Sequence, residues 1–515
     1  MKKTILIIEL LLMWLSIVIY FSVEWAKKTF AFTSFDEILY TLTSPVLNAG
    51  QNLIPDFIFN NVLFPFVILL VVILIIIIYK TYDKKYEVYL NFEFIPKHWK
   101  FKINLFNNKF FRVFKKIAYI IPICMLVISF MKFGNDLLFF DYLKNNSLTS
   151  EFIKNEYINS ENVALTFPEE KRNLIYIFVE SMEATYSSEE NGGAYEENYI
   201  PELTKIAQDN ISFSNSELLG GAYAIYGTTW TIAGMLAQTA GVPIKTVFDG
   251  NLMSDYYNVL FPGAYSIGEI LEDNGYKNYI MMGSDVAFAG RDNYFENHGN
   301  YEILDYYQAI EDGLIDEDYY VFWGFEDEIL YEYAKEKLIE ISQNSEPFNF
   351  TMLTVDTHTP DGYLSDFCEE ASDNPYLNAM ACSDYQLGEF ISWLEEQEFY
   401  DNTTVVIVGD HLSMNNYSFD NIGDYQRTIY NAFINSAIEA EDDKYYKNRM
   451  FCSCDLYPTT LASLGVEIEG NKLGLGVNLF SGEETLIEKY DYYYFMDEMN
   501  KRSIFYDDCI LNGIC

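Results

Sequence analysis

The chain holds only four histidines, at positions 98, 298, 358 and 411. One of them closes the triplet Gly409-Asp410-His411, directly after a β-branched run (TTVVIVG). A second acid, in Glu180-Ser181, directly follows another such run, NLIYIFV. Two carboxylates and an imidazole form a donor set that suits a hard or borderline divalent cation such as Mn2+, Mg2+ or Zn2+. Alone, Glu180 reads as a surface carboxylate and His411 as a structural histidine. The case for a metal site rests on both motifs standing at the ends of strong strand patterns. Between them, residues 220–235 read GGAYAIYGTTWTIAGM. The glycines permit close backbone approach, and the second half is helix-like. A hydroxyl at the start of a helix can be held against a cation and lose its proton there. An ordinary threonine N-cap is the alternative reading.

These residues need a scaffold, and the surrounding pattern supplies one. Short buried-strand runs occur at 173–179, 279–282, 348–354 and 403–409. Helical stretches at 202–208, 266–274, 326–342 and 380–397 separate or flank them. Strands alternating with helices predict a mostly parallel α/β sheet covered on both faces. Such sheets present ligands at the carboxyl ends of their strands, where Glu180 and Asp410 stand.

The first 149 residues are of another kind. Residues 5–23, 62–79 and 117–131 are each apolar over a length that predicts a membrane span, and the second carries no charge. The first run follows Met1-Lys2-Lys3 but no small-x-small cleavage site follows it, so it reads as a retained anchor. The loop 79–116 carries ten Lys/Arg, whereas 24–61 carries only Lys27 and Lys28. The positive-inside rule then predicts a cytoplasmic N-terminus and an extracytoplasmic chain beyond residue 132. Residues 1–149 contain 16 Lys/Arg against 10 Asp/Glu, while the remainder contains 17 against 66, a net of −49. So acidic a surface excludes nucleic acid as a partner and leaves attachment to the bilayer to the spans. Six of the seven cysteines lie beyond residue 132. An even number outside points to disulfides, with Cys368–Cys382 and Cys509–Cys515 as the local pairs.

Five motifs in order carry a family resemblance: IYIFVES, GTTWTIAGM, FAGRDNYFENHG, TVDTHTPDGY and VGDHLSMNN, with DLYPTTLASLG and GLGVNL following. Together they resemble the phosphoglycerol transferase I and lipoteichoic acid synthase branch of the alkaline phosphatase/sulfatase superfamily, over about residues 170–475. GTTWTIAGM and DHLSMNN are closer to the phosphoglycerol transferase I side. Added to the three apolar runs and the loop charges, the resemblance implies an N-terminal three-helix transmembrane anchor followed by an extracytoplasmic α/β/α sandwich of alkaline phosphatase/sulfatase type. Its parts would be an anchor at 1–149, a connector at 150–172, a catalytic domain at 173–482 and a tail at 483–515 without an assigned role.

The resemblance also implies roles. Glu180, Asp410 and His411 would hold one divalent metal, Mn2+ first and Mg2+ or Zn2+ as alternatives. Thr228, with Thr229 beside it, would be the nucleophile and touch the metal. Arg291 would bind the substrate phosphate, and His358 would contact the transferred group or protonate the leaving oxygen. Where lipoteichoic acid synthases carry a Trp two residues before the Arg, this chain has Ala289. The implied reaction moves phosphoglycerol from phosphatidylglycerol to an extracytoplasmic glycan or glycerol-phosphate polymer through a phosphothreonine, releasing diacylglycerol. Phosphoethanolamine transfer or phosphodiester hydrolysis on the same scaffold is the alternative. A sulfatase is disfavoured because the Cys/Ser-x-Pro-x-Arg motif is missing. A non-catalytic membrane scaffold is the reading from a different class, and the retained set Glu180, Thr228, Asp410 and His411 speaks against it.

Overall fold

The computed structural model describes residues 2–30, 35–43, 53–82, 89–94, 99–104, 120–246, 259–370, 372–415 and 417–515. The chain divides into two units, 1–30 with 50–141 and 31–49 with 142–515.

In the first unit the helix Lys2–Phe30 contains one stretch long and apolar enough to cross a membrane, and Pro55–Ile77 is a second. The third expected span begins outside the described residues, at 117–119. From there on it forms the helix Ile121–Asp136, which bends by 65° into Phe139–Asn146, and only the pair together meets the same test. Leu138, with φ 57°, breaks the helix, and Gly134 lets the Phe140 ring fold back against it. Much of the basic loop, including Lys109, Arg112, Lys115 and Lys116, lies outside the described residues. Small residues bring the first and third helices together, Ser129 Oγ donating to Ser16 O at 2.8 Å. Lys132 bridges Glu24 and Asp136, each at 2.5 Å.

The second unit is built on a six-stranded sheet. Its strands, numbered within this unit, are β1 Asn173–Val179, β2 Lys277–Met282, β3 Glu302–Leu304, β4 Phe348–Leu353, β5 Thr403–Gly409 and β6 Asn431–Ile434. Their order is β3-β2-β4-β1-β5-β6, parallel throughout except for β6, which runs antiparallel to β5. Period-two alternation assigns each side chain to a face. In β1, Leu174, Tyr176 and Phe178 face a core shared with α2 (Thr231–Ala240), α3 (Ile267–Asp273) and α7 (Leu456–Ser463). Ile175, Ile177 and Val179 face the opposite core, shared with α1 (Pro201–Asp209), α5 (Asp327–Ile341) and α6 (Pro375–Glu395). Both faces are therefore covered, and the expected α/β/α sandwich is present. Each fully buried aliphatic or aromatic side chain contributes about 1.5–3 kcal/mol. That is why the central strands read as continuous apolar runs.

The connector and tail are parts of the same unit. Leu165–Thr166 pairs with Glu467–Ile468, and Phe152 packs its ring against Tyr490 and Phe495 of the tail. Disulfides join Cys368 to Cys382 and Cys509 to Cys515.

Candidate active site

Strand register brings the acids together. Val179 of β1 pairs with Gly409 of β5, so Glu180 and Asp410 leave adjacent strands side by side. A side chain at the end of β5 would prevent this: a Cβ on Gly409 would meet Met182 O at 1.9 Å. Ser181 adopts φ 55°, a left-handed conformation that costs about 1–3 kcal/mol in a non-glycine residue. Two hydrogen bonds offset that cost. Ser181 N donates to Asp410 Oδ1 at 2.7 Å, and its Oγ donates to Glu180 Oε1 at 2.7 Å.

Glu180, Asp410 and His411 are all buried, and their ligand atoms lie within 4.8 Å of one another. His411 Nε2 stands 3.3 Å from Asp410 Oδ2 and 3.5 Å from Glu180 Oε1. The other ring nitrogen, Nδ1, donates to Leu412 O at 2.7 Å. That bond fixes the ring so that Nε2 faces the carboxylates, the orientation a metal-ligating imidazole requires. Asp410 Oδ2 is buried without a hydrogen-bond partner. Burial, with the charge of Glu180 adding to it, pushes the Asp410 carboxyl up to about 8. Glu180 is itself held down against burial by His411 and His358. His411 is raised against burial by Asp410 and Glu180, with Glu37 contributing. An orphaned oxygen, a second carboxylate and an oriented imidazole fit a divalent cation.

The structure does not bring Thr228 to this cluster. Its Oγ1 donates to Ile225 O at 2.9 Å and lies 3.1 Å from Ile225 N, inside a buried turn. The helix starts three residues later, because Trp230 is extended (φ −143°, ψ 161°) and occupies the N-cap. Thr231, the first residue of α2, places Oγ1 3.4 Å from Glu180 Oε2 and 3.5 Å from His411 Nε2. Helix α2 is seated tightly on the strand end. A Cβ on Gly234 would meet Asp410 O at 1.9 Å, and Gln238 Nε2 donates to Gly409 O at 2.9 Å and to Asp410 O at 3.2 Å. The sequence reading missed Thr231; the apolar run that begins with it was the available signal of the true helix start.

Arg291 and His358 follow the neighbouring strands β2 and β4, and both lie close enough to Glu180 to feel its charge. Arg291 is buried at the start of α4 (Arg291–Asn297) and donates to Phe288 O, Ser284 Oγ and Asp285 O. Burial lowers its guanidinium to about 10, still charged at neutral pH. His358 Nδ1 donates to Thr359 O at 2.8 Å, and its ring meets Trp323 at 4.5 Å. Burial holds His358 below its ordinary value despite the charge of Glu180. It is therefore neutral at neutral pH, with Nε2 available as an acceptor. His298 lies elsewhere, bonded to Glu269 and Leu260 O.

The loop after β5 is held from outside this set. Glu183, fully buried, pairs with Arg427 and accepts from Ser413 N at 2.8 Å.

Comparison with known proteins matches residues 172–466 to the sulfatase family. Phosphoglycerol transferase I of Escherichia coli is 32% identical over 325 residues, covering 62% of this chain and 40% of that protein. The Escherichia fergusonii protein of the same name is 32% identical over 327 residues with the same coverage. The chain thus spans about two fifths of the length of these curated relatives. Among solved structures, the lipoteichoic acid synthase LtaP from Listeria monocytogenes is 20% identical over 65% of this chain and 82% of that one, with TM-score 0.48. The phosphoglycerol transferase GacH of Streptococcus pyogenes, in complex with sn-glycerol-1-phosphate, is 16% identical over 62% and 79%, with TM-score 0.39.

Proposed function

The chain belongs to the sulfatase family, and from that premise we propose that it is a membrane-anchored phosphoglycerol transferase whose nucleophile is Thr231 rather than Thr228. The observation that carries the reading is the Thr231 hydroxyl at the N-terminus of α2, facing the buried Glu180 and His411. The donor, phosphatidylglycerol, and a glycan or glycerol-phosphate polymer as acceptor come from the curated relatives and the family resemblance. In this reading the expected topology holds, with the anchor in the membrane and the catalytic unit extracytoplasmic.

Thr231 Oγ1 attacks the phosphorus of the donor, and the bond from phosphorus to the diacylglycerol oxygen breaks. The threonine proton ends on diacylglycerol, and phosphoglycerol remains on Thr231. An acceptor hydroxyl then attacks the same phosphorus, its proton returns to the threonine oxygen, and the free enzyme is restored. Arg291, charged and fixed by three hydrogen bonds, orients the phosphate oxygens. Neutral His358 accepts the proton of the incoming hydroxyl at Nε2. A divalent cation held by Glu180, Asp410 and His411, Mn2+ in the first instance, would supply positive charge against the developing phosphate charge.

The test uses the purified full chain with Mn2+ and phosphatidylglycerol labelled in the glycerol headgroup. Diacylglycerol release is expected, with the label trapped on the peptide containing Thr231. Thr231→Ala should lower release at least about a thousandfold, the scale on which nucleophile loss acts. Release undiminished in Thr231→Ala overturns the assignment. Release from phosphatidylethanolamine alone replaces the donor by its ethanolamine counterpart.

A further inference from the structure

The segment between the first two apolar helices belongs to the catalytic unit, not to the anchor. Its helix, Phe35–Thr43, buries every residue from Phe35 to Tyr40. At one end Asp36 Oδ1 accepts from Thr246 N and from Thr246 Oγ1, both at 2.9 Å. Phe35 packs against Tyr142 at 5.2 Å. At the other end Tyr40 reaches two loops of the reaction site. Its ring lies 5.8 Å from that of Trp230, the residue before Thr231. Its hydroxyl donates to Ala289 O at 2.6 Å, two residues before Arg291. Ala289 (φ 59°) and Gly290 (φ 74°) are both left-handed. The Tyr40 bond thus falls on the strained turn that launches α4 and fixes where the Arg291 side chain begins. A Cβ on Gly290 would stand 3.9 Å from the Tyr40 hydroxyl. A turn of this kind persists only where its surroundings over-determine it.

We propose that Tyr40 is a positioning residue of the reaction site: its hydroxyl holds the Ala289–Gly290 turn, and so Arg291, while its ring backs Trp230 and the start of α2. The proposal rests on the reading of Arg291 as the phosphate-binding residue. It makes the site composite. Helix Phe35–Thr43 is tied by chain to the first apolar helix through only four residues, 31–34. A catalytic unit cut free at residue 142 would leave Tyr40 behind, so full activity is confined to the anchored chain.

A double-mutant cycle on the full chain tests this. Tyr40→Phe keeps the ring and removes the hydroxyl. It should lower kcat/KM for phosphatidylglycerol about tenfold, chiefly through KM, with the melting temperature lowered by no more than about 4 °C, the scale of one lost hydrogen bond. In an Arg291→Lys background the same substitution should cost less than twofold, because the guanidinium it positions is gone. Equal losses in both backgrounds, or no loss in the parent, overturn the proposal. A second measurement needs no substrate. Hydrogen exchange in the peptide 286–295 should rise in Tyr40→Phe while that of 348–353 stays constant, and an unchanged 286–295 overturns the proposal too. Should Tyr40→Phe not fold, Asp36→Asn, which loosens the other end of the same helix, is read by the same cycle and exchange. A parent enzyme that releases no diacylglycerol from either phospholipid refutes the functional reading, and the exchange result still judges the turn.

Discussion

Two threonines three residues apart have opposite surroundings. Thr228 satisfies its hydroxyl within its own turn, against Ile225, whereas Thr231 offers its hydroxyl to Glu180 and His411 of the candidate metal site. Thr228→Ala should therefore cost about 1 kcal/mol of stability, the net value of one neutral hydrogen bond, and leave covalent labelling by the donor intact. Thr231→Ala should do the reverse, keeping the melting temperature and losing the label. The sequence reading expected a hydroxyl at a helix start and, through the family resemblance, took Thr228 for it, whereas the helix itself begins at Thr231. The extended Trp230, which moves the helix start to Thr231, is set by packing that only the folded chain provides. His358 carries a second prediction at this scale. Burial lowers it from 6.5, so the neutral base is present at neutral pH and is lost as pH falls through the lowered value. The transfer step should hold a plateau from neutral pH upward and fall on the acid side below 6.5. The residual activity of His358→Gln should lack that limb, and an identical acid limb in the variant counts against the base role.

Helix α2 and the ends of β1 and β5 act as one element. The four main strands were legible because they are buried on both faces, so that NLIYIFV and TTVVIVG carry the pattern without interruption. The short strands Glu302–Leu304 and Asn431–Ile434 were not, since three or four residues at a sheet edge hold no period to read. The Phe35–Thr43 helix was hidden for a different reason. Its partners, Trp230, Thr246 and Ala289, are about two hundred residues away in sequence, and no local pattern records them. The contact of α2 with the strand end makes a sharp prediction. Gly234→Ala would set a Cβ 1.9 Å from Asp410 O, so the helix or the strand end must move. Overpacking of this kind costs about 1–3 kcal/mol, and here the displaced atom belongs to a residue of the candidate metal site. Calorimetric Mn2+ affinity should fall at least tenfold in Gly234→Ala, and much less in Gly275→Ala, where nothing lies within 4 Å of the added carbon. Equal affinities in the two variants would show that the helix yields without moving Asp410.

Across the whole molecule, acidity sets the conditions for stability. Residues beyond 149 carry a net charge of −49, and like charges at this density repel one another in the compact state. Three buried carboxyls add to the effect: burial pushes Asp327, Asp384 and Asp455 each up to about 7. Asp384 accepts from Glu202 N and Leu203 N at the start of α1, and Asp455 accepts from Cys452 N and Val477 N. These backbone bonds lower the two groups without overcoming burial. The sign follows from proton counting. A carboxyl raised on folding binds more protons in the folded than in the unfolded chain, so stability falls as pH rises from the unfolded value near 3.8 to the folded value near 7. Mild acid is therefore favoured, because each buried carboxyl that ionises at higher pH also adds to the repulsion of an already acidic unit. In the presence of a chelator, which removes the opposing pull of a bound cation, the melting temperature should be several degrees higher at about pH 5.5 than at about pH 8. Asp384→Asn cannot ionise and should flatten part of that slope. Salt screens surface charges but reaches buried ones poorly, so about 0.5 M NaCl should narrow the difference without abolishing it. A melting temperature that rises steadily toward alkaline pH at both ionic strengths would show that neither the buried carboxyls nor the surface charge governs the stability of this unit.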